Sequence, residues 1–311
     1  MAVTRIARIS FTATDAERLG RFYRDAFGFE ASAREHYSGK AFAQLIGLEG
    51  AEARALVLRL GDQELELLAF AELGNPYPTG STSDDLRFQH IAIVVSDMRA
   101  AYARLLKCDG WTPITIPAPQ RLPVSSGSVT AFKFRDPEGH PLELLAFPSD
   151  NIPPYWKKAP PSHTSCLGID HSAIVVASTV QSIEFYHRIL GFSVGARSLN
   201  HGQEQERLDA VPNVVVEVTA LDPETPAPPH LELLSYRSAA ARNAAPPMLS
   251  SNDIAASRLV LEVDQVTRLE QELSAASVRF ISTGIVKLKD GRSAALMYDP
   301  DGHALLLLNR V

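Results

Sequence analysis

Metal binding and proton transfer both draw on histidine and carboxylate side chains, and in this 311-residue chain such residues travel with an internal repeat. The phrase Arg135-Asp136-Pro137-Glu138-Gly139-His140-Pro141-Leu142-Glu143-Leu144-Leu145 returns near the C-terminus as Tyr298-Asp299-Pro300-Asp301-Gly302-His303-Ala304-Leu305-Leu306-Leu307-Leu308. Phe22-Tyr23 and Gly28-Phe29 recur at the same offset as Phe185-Tyr186 and Gly191-Phe192. His140 and His303 fall in the turn after Asp-Pro-x-Gly, where an imidazole is expected to shape the turn rather than to bind metal. Other chemistries find no footing: nucleophile motifs, a phosphate-binding glycine loop and a CxxC knot are all missing. Cys108 and Cys166 are the only cysteines, and each is expected to serve as a small buried hydrophobe.

The elements that must position these groups follow from the repeat. Each half divides again, so four modules are expected. Their opening strands are Ile6 to Ala13, Phe88 to Val95, Ile169 to Val176 and Ser257 to Val263. A helix follows each strand, with Asp15, Asp97, Ser178 and Asp264 placed to accept from its first free amides. Apolar residues spaced by three and four, such as Leu19, Phe22, Tyr23 and Phe27, mark the buried helical face, and Gly28 and Gly191 end their helices. Three strands complete each module. The last two of them are Ala55 to Leu60 with Glu64 to Phe70, Val129 to Phe134 with Leu142 to Phe147, Val214 to Leu221 with His230 to Tyr236, and Ser293 to Tyr298 with Ala304 to Asn309. The unit is β-α-β-β-β. A short curved sheet with one helix cannot bury both its faces, so modules should pair into larger barrel-like sheets of an α+β fold.

Residues 1–147 are therefore expected to form one domain (modules 1–80 and 86–147) and 168–311 a second (modules 168–238 and 252–311). The Pro-rich stretch 148–167 would be a semi-rigid linker. Composition is ordinary for a globular chain, at 45% hydrophobic and 21% charged. The net charge of −6, with both signs scattered, argues against nucleic acid. No apolar stretch is long enough to span a bilayer, and Arg5, Arg8 and Asp15 interrupt any signal-peptide core. Two cysteines make no disulfide framework, which points to a reducing cytoplasm. A monomer or a homodimer is expected.

The β-α-β-β-β unit, the Phe-Tyr…Gly-Phe helix ending and the Asp-Pro-x-Gly-His-x-Leu-Glu-Leu hairpin resemble the vicinal oxygen chelate superfamily. That superfamily includes glyoxalase I, extradiol dioxygenases, methylmalonyl-CoA epimerase and bleomycin-binding proteins. The resemblance covers nearly the whole chain and implies metal ligands on the first and last strands of a module. In module two the matching positions are His90 and Glu143, and in module three His171 and Glu232. Module one offers Arg8 and Glu66 there, and module four Arg258 and Leu306. A guanidinium cannot coordinate. Pairing within each half would thus put an arginine in both sites. Exchanged pairing, two with three and one with four, would gather two imidazoles and two carboxylates in one site and leave the outer pair metal-free.

Exchanged pairing, which the resemblance to glyoxalase I implies, is the arrangement expected here, with pairing inside each half as the alternative. Two histidines and two carboxylates suit one divalent transition metal, Zn, Ni, Co, Mn or Fe. The activity implied is glyoxalase- or epimerase-like proton transfer through a metal-chelated enediolate on a small carbonyl or thioester substrate, with Glu143 or Glu232 as base. One alternative is Fe(II) extradiol-type oxygen chemistry on a catechol-like substrate. A metal-free binding protein is another. Arg8 and Arg258 either hold an anionic group in a second pocket or pair with Glu66 and Glu262. Tyr155 and Trp156 are expected to anchor the linker or to cover a pocket mouth. Leu199 to Arg207 is expected to be a polar loop, serving as a lid or merely solvated.

Overall fold

The computed structural model describes residues 3–237, 248–264 and 266–310. Module one comprises β1 (Val3–Thr12), α1 (Ala16–Phe27), β2 (Glu30–Tyr37), α2 (Lys40–Ile46), β3 (Ala53–Leu60) and β4 (Gln63–Phe70). Module two comprises β5 (Gln89–Val95), α3 (Met98–Leu105), the short β6 (Thr112–Pro113) and β7 (Gln120–Arg121), β8 (Thr130–Arg135) and β9 (Pro141–Ala146). The connection carries one helical turn, α4 (Pro154–Lys157). Module three comprises β10 (Cys166–Val175), α5 (Thr179–Ile183), which runs on as a π-wound stretch to Ile189, β11 (Ser193–His201), α6 (Gln203–Asp209), β12 (Val215–Asp222) and β13 (His230–Tyr236). Module four comprises β14 (Ser257–Val263), α7 (Val266–Ala275), β15 (Val286–Lys287), β16 (Ser293–Tyr298) and β17 (Ala304–Asn309).

The modules pair in exchanged fashion. An eight-stranded sheet runs β15-β16-β17-β14-β1-β4-β3-β2 and joins module four to module one. A nine-stranded sheet runs β11-β12-β13-β10-β5-β9-β8-β6 and joins module three to module two. Both seams are antiparallel pairings of opening strands, β1 with β14 and β5 with β10. Inside each module the opening strand lies parallel to the last, as in β5 with β9 and β10 with β13.

Local chemistry explains the elements. Asp15, Asp97 and Ser178 accept from the amides of Arg18, Ala100 and Gln181, as N-caps do. For the fourth helix the amide of Val266 donates instead to Asn309 Oδ1, a residue on its own module's last strand. Gly28 ends α1 at φ +83°, a conformation a Cβ would penalise. Strand alternation then sorts the two faces of each sheet. Ile9 and Phe11, Ile91 and Ile93, Phe132 and Phe134, and Leu231 and Leu233 belong to one continuous apolar core that also takes Tyr23, Phe27 and Tyr186 from the helices. The alternate residues line the concave faces.

Three expectations change. Leu199 to Arg207 is not a loop, because β11 continues to His201 and α6 begins at Gln203. The buried side chains of α6, Gln205, Leu208 and Asp209, lie at helical spacing; Gln205 donates to Asp209, which also accepts from Lys133 on β8 and Tyr236 on β13. The linker is shorter than expected, since β10 already begins at Cys166. Arg258 does not pair with Glu262, which goes to Arg5 at 2.6 Å. Among the described residues no helix is long and apolar enough to cross a membrane.

Candidate metal centre

The β5–β10 seam sets the geometry of the inner concave face. Ala173 stands opposite His90 on β5 and opposite Glu232 on β13. Ala92 stands opposite His171 on β10 and opposite Glu143 on β9. Directly opposed residues share a face of a sheet. Four donor side chains therefore surround two alanines whose methyl groups leave the space between them open. His90, Glu143 and His171 are buried, and Glu232 is half-buried.

His90, Glu143 and His171 each offer a ligand atom, and these atoms lie within 4.8 Å of one another. His90 Nε2 is 2.8 Å from Glu143 Oε2, yet neither ring nitrogen of His90 makes a well-oriented hydrogen bond. The ring nitrogens of His90 are thus buried with unused hydrogen-bonding capacity. Glu232 joins from the far side, with Oε2 3.5 Å from His171 Nε2, outside the tight trio. His171 Nδ1 meets Asp170 Oδ2 at 3.0 Å, and Trp156 Nε1 donates to Asp170 Oδ1 at 2.5 Å. A carboxylate on the remote nitrogen fixes an imidazole's tautomer and orientation, which leaves Nε2 for an ion.

Several site residues carried no clear signal in the sequence. His230 lies two residues before Glu232, hence on the same face of β13, and its Nε2 is 3.6 Å from Glu232 Oε1. With Asp170 and His171 it forms a second trio able to converge on an ion. Lys133 sits between Phe132 and Phe134 on β8, so alternation turns it into the pocket, opposite Glu143. Its Nζ is 2.6 Å from Asp209 Oδ1. Asp209 also accepts from Gln205 and Tyr236. Trp156 is buried, so the linker aromatic is part of the site wall and not only a surface anchor. Tyr155 stays near the rim, bonded to Asp62 and Gln63.

Protonation follows from these neighbours. Burial depresses His90, and the Lys133 ammonium adds to the effect, so its ring stays neutral. Burial also works against charge on His171, but Glu232 and Asp170 outweigh it and raise the imidazole to about 9. Burial would raise Glu232, but His171 and His230 hold it down at about 2. Glu143 is lowered too, since its contacts with His90 and Lys133 exceed the effect of burial. Five carboxylates line the pocket, Glu143, Asp170, Asp222, Glu224 and Glu232, with Lys133 as its one lysine. Even with His171 protonated in the ion-free site, negative charge exceeds positive, and a divalent cation taking the place of the ring proton would offset part of that excess. The donor set fits such an ion: mixed nitrogen and oxygen ligands, an oriented histidine and a cavity of 780 Å³ beside them.

The outer sheet repeats this register with different residues. Arg8 takes the place of His171, Glu66 that of Glu232, Arg258 that of His90 and Leu306 that of Glu143. Among the described residues no such group of ligand atoms gathers there.

A model of the Glyoxalase/Bleomycin resistance protein/Dioxygenase superfamily matches residues 5–144 and again residues 168–307. Among solved structures, glyoxalase I from Zea mays aligns over 98% of this chain and 92% of its own, with a TM-score of 0.62 at 16% identity. A putative dioxygenase from Bacillus subtilis subsp. subtilis str. 168 aligns over 99% of this chain and 86% of its own, with a TM-score of 0.59 at 9% identity. Likeness at these identities speaks to the fold alone. No curated protein sequence matches.

Proposed function

Because this chain belongs to the glyoxalase/bleomycin resistance protein/dioxygenase superfamily, we propose that it is a metal-dependent enzyme that moves a proton on a small carbonyl or thioester substrate. The observation that carries this reading is the convergence of His90, Glu143 and His171 across the seam of modules two and three, with Glu232 beside them. A divalent ion held by these residues would supply Lewis acidity to two adjacent substrate oxygens.

The chain's own residues do the rest. Glu232 is the proton carrier: it is ionised, less buried than Glu143 and at the edge of the trio. Its carboxylate would take a proton from the carbon beside the carbonyl and return it to the neighbouring carbon. His230, 3.6 Å away, is placed to hold that carboxylate in position. Glu143, across the seam, is the alternative base. Lys133 keeps Glu143 ionised and is itself anchored by Asp209. Asp170 and Trp156 orient His171.

A second reading rests on the same trio. Two histidines and one carboxylate with open positions are the set that ferrous oxygenases use. In that case Glu232 would be a neighbour of the ion rather than a base, and a catechol-like substrate would consume oxygen.

The test is direct. Metal analysis of the purified chain, loaded in turn with Zn, Ni, Co, Mn and Fe(II), should give about one ion per chain, lost in H90A and in H171A. Turnover in D2O should place deuterium in the product, and E232Q should keep the metal but lose roughly 10²- to 10⁴-fold in rate. Oxygen uptake without deuterium exchange selects the second reading. A folded chain that takes up none of the five metals refutes both.

A further inference from the structure

The outer concave face contains a second cavity, of 340 Å³, bounded by β1, β4, α2, β14 and β17. Its floor carries buried polar groups with nothing to bind. Arg258 is 2% exposed and Ser10 1% exposed. Arg258 Nη1, Ser10 Oγ and Arg8 Nε are buried without a hydrogen-bond partner. Arg258 is anchored from behind, where Nη2 donates to Thr12 Oγ1 at 3.0 Å and to the Ser251 carbonyl. The register places Ser10 opposite Arg258 on one side and Glu66 on the other, and Arg8 one strand position along the same face. Two guanidinium groups are thus fixed on one surface and partly unsatisfied.

A buried donor without a partner is costly, and a buried charge without one more so. Glu66 is the single deep carboxylate, and it is already shared between Arg8 Nη1 at 3.4 Å and the Tyr37 hydroxyl at 3.2 Å. Arg8 thus has carboxylates beside it, whereas Arg258 has none at ion-pair distance among the described residues. At the solvent edge Asp290 pairs with Arg292 at 2.6 Å, and Glu64 Oε2 lies 3.9 Å from Arg8 Nε. Above the arginines the wall is apolar, with Phe42, Leu45, Leu306 and Leu308. Pockets of roughly 300–1,000 Å³ with apolar walls and a few convergent polar groups are the usual form of small-molecule sites.

We propose that this outer cavity binds a small organic monocarboxylate. Its carboxylate meets Arg258, Arg8 and Ser10, and its apolar body lies against Phe42 and Leu306. A planar guanidinium matches a carboxylate, the one guanidinium without a carboxylate partner matches a monoanion, and the apolar wall favours an organic body over inorganic phosphate. Burial holds Arg258 down at about 10 against the pull of Glu66, so a second nearby anion would relieve a strained charge. The site is separate from the metal centre, because no residue lines both cavities.

Calorimetry on the full-length, metal-loaded chain with phenylacetate and hexanoate tests the proposal, with phenylacetamide and inorganic phosphate as controls. One carboxylate should bind per chain with Kd below ~1 mM. Binding should weaken at least about tenfold with phenylacetamide, in R258M and in R8M. L306F, which fills the cavity and spares both arginines, should abolish it. H90A should bind as the parent does. If R258M fails to fold, R8M and L306F still decide the matter. The proposal is overturned if neither carboxylate binds, if the amide or phosphate binds as tightly, or if L306F leaves binding unchanged while H90A removes it.

Discussion

Asp136 is buried and accepts from the Tyr23 hydroxyl, from the amides of Glu138 and His140 and from the His140 ring. The other ring nitrogen of His140 meets the carbonyls of Thr12 and Ile254, both at 3.0 Å. With acceptors at both nitrogens, the ring is best satisfied as an imidazolium. Burial alone would depress its pKa, but Asp136 outweighs burial and raises it above the ordinary value. A raised folded value gives stability that is complete below the unfolded histidine pKa of about 6.5 and is lost as pH climbs through the folded value. The stability advantage of the parent over H140Q in urea should therefore shrink as pH is raised from about 6 into the alkaline range. A constant difference across that range would mean the ring is neutral in the native state. D136A strands a buried imidazolium and should cost about 3–5 kcal/mol. Asp299 repeats the arrangement with Tyr186 and the His303 amide, and His303 Nε2 meets the Val175 carbonyl. So the histidine of the repeated turn pins modules together through its ring.

At the scale of elements, α1 is closed at both ends by local chemistry. Asp15 accepts from Arg18 and Gly28 turns the chain out in the left-handed region. D15A should cost about 1 kcal/mol in thermal or urea unfolding. G28A should cost more, about 1–2 kcal/mol for the conformation alone, because a Cβ at Gly28 would also come within 2.8 Å of Thr164 Cγ2. A G28A chain as stable as the parent would show that Thr164 and the turn can relax together. α6 is the contrasting case. No pattern in Gln203 to Asp209 marks a buried face, since Gln205 and Asp209 are polar. Its inward side is defined by Lys133 and Tyr236, which arrive from modules two and three. A helix whose buried face is polar is legible only once its partners are in place.

At the scale of the whole molecule, the exchange binds the halves into one body. Each sheet takes two modules from different halves, while Tyr23 with Asp136 and Tyr186 with Asp299 hold the modules of one half together. One apolar core runs through all four modules. Fragments 1–147 and 168–311 would each expose an unpaired opening strand in both sheets, an edge that invites association. Expressed apart, they should self-associate or fail to fold. Mixed, they should form one folded heterodimer that binds metal, because His90 comes from one fragment and His171 from the other. Size-exclusion chromatography, circular dichroism and metal analysis read the outcome. A folded monomeric fragment that binds metal by itself would contradict the exchanged arrangement as the basis of the site.

The repeat, the strand alternation and the caps were legible in the chain because they arise from neighbours close in sequence. Asp15 needs only the next turn, and Ile91 and Ile93 need only period two. The placement of His90, Glu143, His171 and Glu232 on opening and closing strands was legible through the resemblance. That modules two and three bring them together was expected through the same resemblance, with pairing inside each half left as the alternative that the strand order removes. His90 and His171 face each other only because β5 pairs with β10, a contact between residues some eighty positions apart. Lys133, Asp209, His230 and Trp156 entered the site for the same reason. Their burial is favourable only when a countercharge or hydrogen-bond partner arrives from another element, and sheet pairing delivers that partner where local sequence cannot.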